Sequence, residues 1–292
     1  MRRRVNFGLS ALCLLVAAGL VALPARGAEK KTLKLGYVAW SCCDDQAHLA
    51  KAVLEKLGYK VDLTLVDIGV LYQAVSQGDV DFMVCAWLPT THKAYFDKLG
   101  GKLEKLAVNF KPARLGWVVP TYVTVSSIEE LNAHGDRFDW RIVGIDPGAG
   151  LMQASERTIK AYGLSKFRLV EGSDAAMTAA LQRAVEEKKW VVVTGWTPHW
   201  KWAKFDLKYL DDPKKSLGEE EVIWTVTRPG FQKDHPEATK VLTSWSLTDK
   251  ELAELMVLHV EKGDGAKAAA TFIERHPDRI AQWAGSASGA GR

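Results

Sequence analysis

Three tryptophans stand where apolar stretches of this chain end: Trp40 after residues 33–39, Trp87 after residues 80–86, and Trp196 after residues 191–194. Each stretch reads as a buried strand, and in open α/β sheets ligands bind outside the carboxyl ends of the strands. An aromatic face attracts a cation through its quadrupole, and a quaternary ammonium has no N–H with which to find another partner. Three indoles at three strand ends therefore suggest a cage for such a cation. The same rings could instead fill space between elements, because tryptophan is highly buried on average.

Two further groups could serve an anion beside that cation. His92 follows Trp87 in the run CAWLPTTHKAY, where Thr90 can cap a helix and His92 falls in its first turn on the side of the strand ends. From there it can donate a hydrogen bond, although a histidine in a first turn is commonly a solvated surface residue. The loop Asp146-Pro147-Gly148-Ala149-Gly150 opens another helix, and the backbone amides of Gly150 and Leu151 then point outward with a favourable dipole. The loop has the spacing neither of a dinucleotide fingerprint nor of a P-loop, which excludes nucleotide binding. Glycine in such a turn also has plain steric reasons. A small zwitterion, ammonium at one end and carboxylate at the other, matches both sets of groups. Cation–π contacts of up to ~2 kcal/mol and charged hydrogen bonds of ~1.5–3 kcal/mol each can reach the roughly 8 kcal/mol of micromolar binding after ordering costs.

The elements that must position these residues alternate. A strand at 33–39 leads to a helix at 44–57 capped by Gly58, then to a strand at 60–66 with Val61, Leu63 and Leu65 inward. A short helix at 71–76 precedes the strand that delivers Trp87. This βαβαβ order predicts a parallel sheet with covered faces. Residues 115–123, ahead of the capping box Ser126-x-x-Glu129, read as a strand crossing into a second lobe. That lobe repeats the logic with strands at 141–145, 167–170 and 191–194 and helices at 151–162 and 173–187. Thr197 as cap and Pro198 at the first helical position start a helix that holds Trp200 and Trp202, both assigned to packing. The strand at 222–226 is the return crossing. A helical remainder, with the box Thr248-x-x-Glu251, packs back on the first lobe. The expected division is 1–27 signal peptide, 28–119 and 225–284 first lobe, 120–224 second lobe, and 285–292 a disordered tail.

Arg2 to Arg4, the apolar residues 9–23 and the small-x-small site Ala25-Arg26-Gly27 make the first segment a cleavable secretory signal. Without its four arginines, Lys+Arg falls from 39 to 35 and equals Asp+Glu. The mature chain is formally neutral, so its charge gives no reason to expect nucleic acid or anionic lipid as partner. About 265 residues remain, enough for two lobes of ordinary size. Cys42, Cys43 and Cys85 survive cleavage, an odd number in an oxidising compartment. If the strands before Trp40 and Trp87 are neighbours, a disulfide at the mouth is geometrically possible and one thiol is left over. Neither a metal nor a cofactor is expected.

Taken together, GYVAW, AWLPTTHKAY, GIDPGAGLM, TGWTPHW, KYLDDPK and TRPGF resemble the glycine betaine-binding proteins of osmoprotectant ABC importers, the OpuAC/ProX-type solute receptors. The resemblance implies an α/β, two-lobed periplasmic-binding-protein fold that closes by hinge motion on its ligand and hands it to an ABC permease at the membrane. It implies a monomer in the periplasm. It makes Trp40, Trp87 and Trp196 the aromatic cage, and His92 with the amides of Gly150 and Leu151 the carboxylate site. The cysteines depart from the pattern and leave the preferred ligand open among glycine betaine, choline, carnitine and related solutes. A periplasmic enzyme acting on a choline-like substrate is the rival class. No G-x-S-x-G elbow and no cysteine–histidine pattern supports it.

Overall fold

The structure, a computed structural model, describes residues 32–288. The expected signal segment lies outside the described residues. The chain begins with β1 (Thr32–Tyr37), α1 (Ser41–Lys56), β2 (Lys60–Leu65), α2 (Ile68–Gln77) and β3 (Phe82–Leu88). These follow the alternation of apolar runs and helical spacing. Gly78 ends α2 in the left-handed conformation, at φ 81°, which costs glycine little. β1 pairs in parallel with both β2 and β3, as the βαβ order requires. Leu65 departs from the expected inward set: at the end of edge strand β2 it is 54% exposed.

After α3 (Lys93–Leu99), strand β4 (Glu104–Pro120) is far longer than the crossing strand expected at 115–123. Its first part, to Ala113, pairs antiparallel with β9 (Glu221–Thr227); from Arg114 onward it pairs with β7 (Val193–Thr197) and β8 (Leu207–Tyr209). One strand thus belongs to both halves of a nine-stranded sheet of order β2-β1-β3-β9-β4-β7-β5-β6, with β8 on β4. Polar and charged residues interrupt 104–114, so no continuous apolar run marked this stretch. β9 lies wholly between β3 and β4, so the chain has returned to the first half before Glu221. The crossings therefore precede the expected boundaries at 119/120 and 224/225.

The second half holds β5 (Arg141–Val143), α4 (Gly150–Ala161), β6 (Arg168–Val170) and α5 (Asp174–Glu186), with β6, β5 and β7 parallel. The capping box before residues 128–138 is Ser127 with Glu130, one position later than expected, and the element is a 3-10 helix. Thr197 and Pro198 do not start a helix: Thr197 ends β7, and the short α6 (Lys201–Lys204) follows Trp200 as N-cap. Helix α1, by contrast, starts earlier than expected, directly after Trp40.

Five helices close the chain: α7 (Phe231–Asp234), α8 (Pro236–Ser244), α9 (Asp249–Lys262), α10 (Gly265–Arg275) and α11 (Pro277–Ser288). The Thr248/Glu251 box caps α9 as expected. Helix α10 packs on α1 and on α9, which returns the chain to the first half. Helix α11 runs on to Ser288, across the start of the expected tail; residues beyond it lie outside the described ones. The whole is a mixed α/β architecture, with parallel strands at both edges and antiparallel strands where the halves meet.

Candidate functional site

Trp87 is the penultimate residue of β3 and sits opposite Ile223 of β9, while Trp196 lies in β7 opposite Leu115 of β4. Both were expected just beyond their strands; the strands extend through them. Trp40 follows β1 and is the N-cap of α1. The three indoles are 8%, 3% and 3% exposed for Trp40, Trp87 and Trp196. Together with His92, Gly150 and Leu151 they line one cavity. Trp40, Trp87 and His92 come from the first half of the sheet, and Gly150, Leu151 and Trp196 from the second. Trp200 and Trp202, assigned to packing, lie partly buried against the core, and the Trp202 indole N–H donates to the Trp196 carbonyl at 2.9 Å.

His92 is the N-cap of α3 and is fully buried, where a solvated first-turn residue was the plain alternative. Its Nδ1 accepts the Trp87 backbone N–H at 3.1 Å, which places the ring proton on Nε2. Nε2 has no hydrogen-bond partner among the described residues. Burial lowers the imidazole to about 3, so the ring is a neutral donor at physiological pH. The turn that holds it is fastened by Glu221 on β9, whose carboxylate accepts the N–H groups of Thr90 and Thr91, each at 2.8 Å, and the Thr91 hydroxyl.

The second half contributes the start of α4. Its N-cap is Ala149, which offers no side-chain oxygen, whereas Ser, Thr, Asp or Asn is the usual choice at that position. The first helical amides therefore keep their donors unused by the helix. A Cβ built on Gly150 would stand 2.2 Å from the Thr91 carbonyl oxygen. Glycine here lets the two halves approach, a cause that no local turn argument reveals.

Several residues that the sequence reading did not single out hold the halves together. The Trp40 indole N–H donates to Asp146 at 2.9 Å. Asp174 accepts both the backbone N–H and the hydroxyl of Ser41 at 3.0 Å, and His199 Nε2 stands 2.9 Å from its other oxygen. Burial alone would raise the Asp174 carboxyl, but His199, Lys201 and the Ser41 amide hold it at about 2. The Tyr95 hydroxyl donates to the Gly148 carbonyl at 2.5 Å. In the sequence Asp174 looks like an ordinary first-turn acid, and nothing local tells it apart. Cys43 and Cys85 form a disulfide, the outcome foreseen if β1 and β3 were neighbours. Cys42 is the remaining thiol and lines the cavity; burial foremost keeps it protonated.

One cavity thus combines indole surface with neutral or backbone donors. Among the described residues no charged side chain lines it, and it is closed by contacts that only the two halves together can make.

Residues 31–275 match the family model OpuAC, described as the substrate binding domain of ABC-type glycine betaine transport systems. The chain is 45% identical over 152 residues to the glycine betaine/carnitine transport binding protein GbuC of Listeria monocytogenes, covering 51% of this chain and 50% of that one. It therefore spans about half the length of that relative. Lactococcal OpuAC in its closed form with glycine betaine superposes with a TM-score of 0.82 at 39% identity, over 87% of this chain and 99% of that one. An ABC-transporter choline binding protein in complex with choline superposes with a TM-score of 0.81 at 26% identity, over 86% and 91%.

Proposed function

The chain belongs to the substrate-binding domain family of ABC-type glycine betaine transport systems, and on that premise we propose that it captures glycine betaine, or a closely related quaternary-ammonium carboxylate, and delivers it to a membrane permease. Trp40, Trp87 and Trp196 would enclose the ammonium, which their faces attract without requiring an N–H. The carboxylate would take the His92 Nε2–H and the amides of Gly150 and Leu151. The observation that carries this reading is the buried Nε2 of His92, without a partner among the described residues, beside a helix start that no side chain caps. Burying such donors costs stability unless an acceptor arrives. The chain acts as a receptor, not an enzyme; it works as a periplasmic monomer released from its signal segment. Its lobes take the ligand from opposite sides, so ligand stabilises the closed form through differential affinity.

Choline is the second reading, favoured by the choline-bound structural relative. It would satisfy the rings but leave the three donors without an acceptor. Calorimetric titration of the mature protein with glycine betaine, proline betaine, carnitine and choline separates the two. Micromolar binding of glycine betaine and much weaker binding of choline is expected. A preference for choline would remove the carboxylate site, and no response to any of the four would remove the cage.

A further inference from the structure

Lys201 opens α6 and is fully buried. Its Nζ lies 4.2 Å from the centroid of the Trp196 ring and has no hydrogen-bond partner among the described residues. A buried ammonium ordinarily has its three donors satisfied. Trp196 lines the cavity and Lys201 does not, so the lysine meets the indole from outside the space a ligand would occupy. One ring is therefore shared between a fixed amine and the proposed cation site.

The groups facing Lys201 come from three elements. Asp174 on α5 is the carboxylate that favours its charge, and Cys42 lies near it on α1. Cys42 is a protonated thiol that accepts a hydrogen bond from the Trp196 side chain. His199, in the segment before α6, accepts the Lys201 backbone N–H on Nδ1 at 3.0 Å and stands with Nε2 at Asp174. It is therefore a neutral imidazole, lowered to about 4 by burial first and Lys201 second. Asp174 already has the two Ser41 donors and His199. It favours the charged lysine, while burial opposes it more strongly.

Building on the reading of the cavity as a quaternary-ammonium cage, we propose that Lys201 sets the affinity of that cage: its ammonium, held against Trp196, opposes the ligand's cation, and binding is coupled to loss of its proton. The same quadrupole cannot serve two cations as well as one, and like charges sharing one ring repel in a dry interior. Burial brings the Lys201 amine down to about 7, within reach of ordinary working conditions. His92 and His199 stay neutral throughout that range, so neither supplies a competing titration. The lysine does not touch the ligand; it acts through Trp196.

The test is glycine betaine calorimetry on the mature wild type, Lys201→Met and Lys201→Arg at pH 6, 7 and 8.5, repeated in phosphate and Tris to count protons. The expected result is about tenfold tighter wild-type binding at pH 8.5 than at pH 6, with proton release near pH 7. Lys201→Met should bind tightly at every pH without proton release, and Lys201→Arg weakly at every pH. A purely structural lysine would leave the proton count at zero, and this wild-type measurement needs no variant to fold. Wild-type affinity that is independent of pH, with no proton released, overturns the role of Lys201 and leaves the betaine reading standing. Absence of glycine betaine binding in all three proteins at every pH overturns both.

Discussion

His92 shows how one imidazole is made into a neutral donor. The Trp87 backbone N–H occupies Nδ1, so the proton resides on Nε2, and burial keeps a second proton away. Replacing it by leucine should weaken glycine betaine binding by at least about tenfold, the worth of one hydrogen bond to a charged group. Choline binding should change little. Equal losses for both ligands in parallel titrations would detach His92 from the carboxylate. Trp87→Ala should have the complementary signature, a loss of more than about tenfold for both ligands, with unchanged circular dichroism. Unchanged calorimetric affinity would remove this ring from the cage. The run CAWLPTTHKAY made both residues conspicuous, but the burial of His92 depends on Glu221, which is distant in sequence and tethers the Thr90–Thr91 turn.

At the level of elements, the starts of α1, after Trp40, and of α4, after Ala149, are among those left without side-chain caps. The first finds its acceptor in Asp174 of the other half; the second faces the cavity. Helix α1 is also tied to β3 by Cys43–Cys85, whose sequence separation is 42. A closure of that length should stabilise by about 2–4 kcal/mol. The double variant Cys43→Ser, Cys85→Ser should therefore unfold at lower urea with a similar slope, and an unchanged midpoint would mean that packing alone holds the two elements. Helices and parallel strands were legible because their apolar periodicity is local. The long β4 was not, because its two parts satisfy different partners and no single pattern runs through it.

For the molecule as a whole, the two buried neutral histidines shape the pH dependence of stability. His92 and His199 have folded values lowered to about 3 and about 4, below the ~6.5 of an unfolded chain. Their contribution is complete above ~6.5 and is lost as acidification protonates the unfolded chain first, at up to ~1.4 kcal/mol per pH unit for each. Asp45, raised to about 6 chiefly by burial, and His48 and His259, raised by hydrogen bonds to Asp44 and Asp45, work against this loss by taking up their protons earlier in the folded state. Unfolding free energies from urea titrations between pH 7 and 4.5 should be less sensitive to acid in His92→Leu than in the wild type, by up to about 1.4 kcal/mol per pH unit. Parallel pH profiles for wild type and variant would contradict the burial of a neutral imidazole. By itself the sequence determined the alternation of strands and helices, the strand-end placing of three tryptophans and the glycine-bearing helix start, because spacing and residue type are properties of the local chain. Only the tertiary structure decided that Asp174 meets Ser41, that Gly150 meets Thr91 and that Lys201 lies on Trp196. Those pairs join the two halves or pack behind the cavity wall, and a contact between distant segments leaves no mark on either one alone.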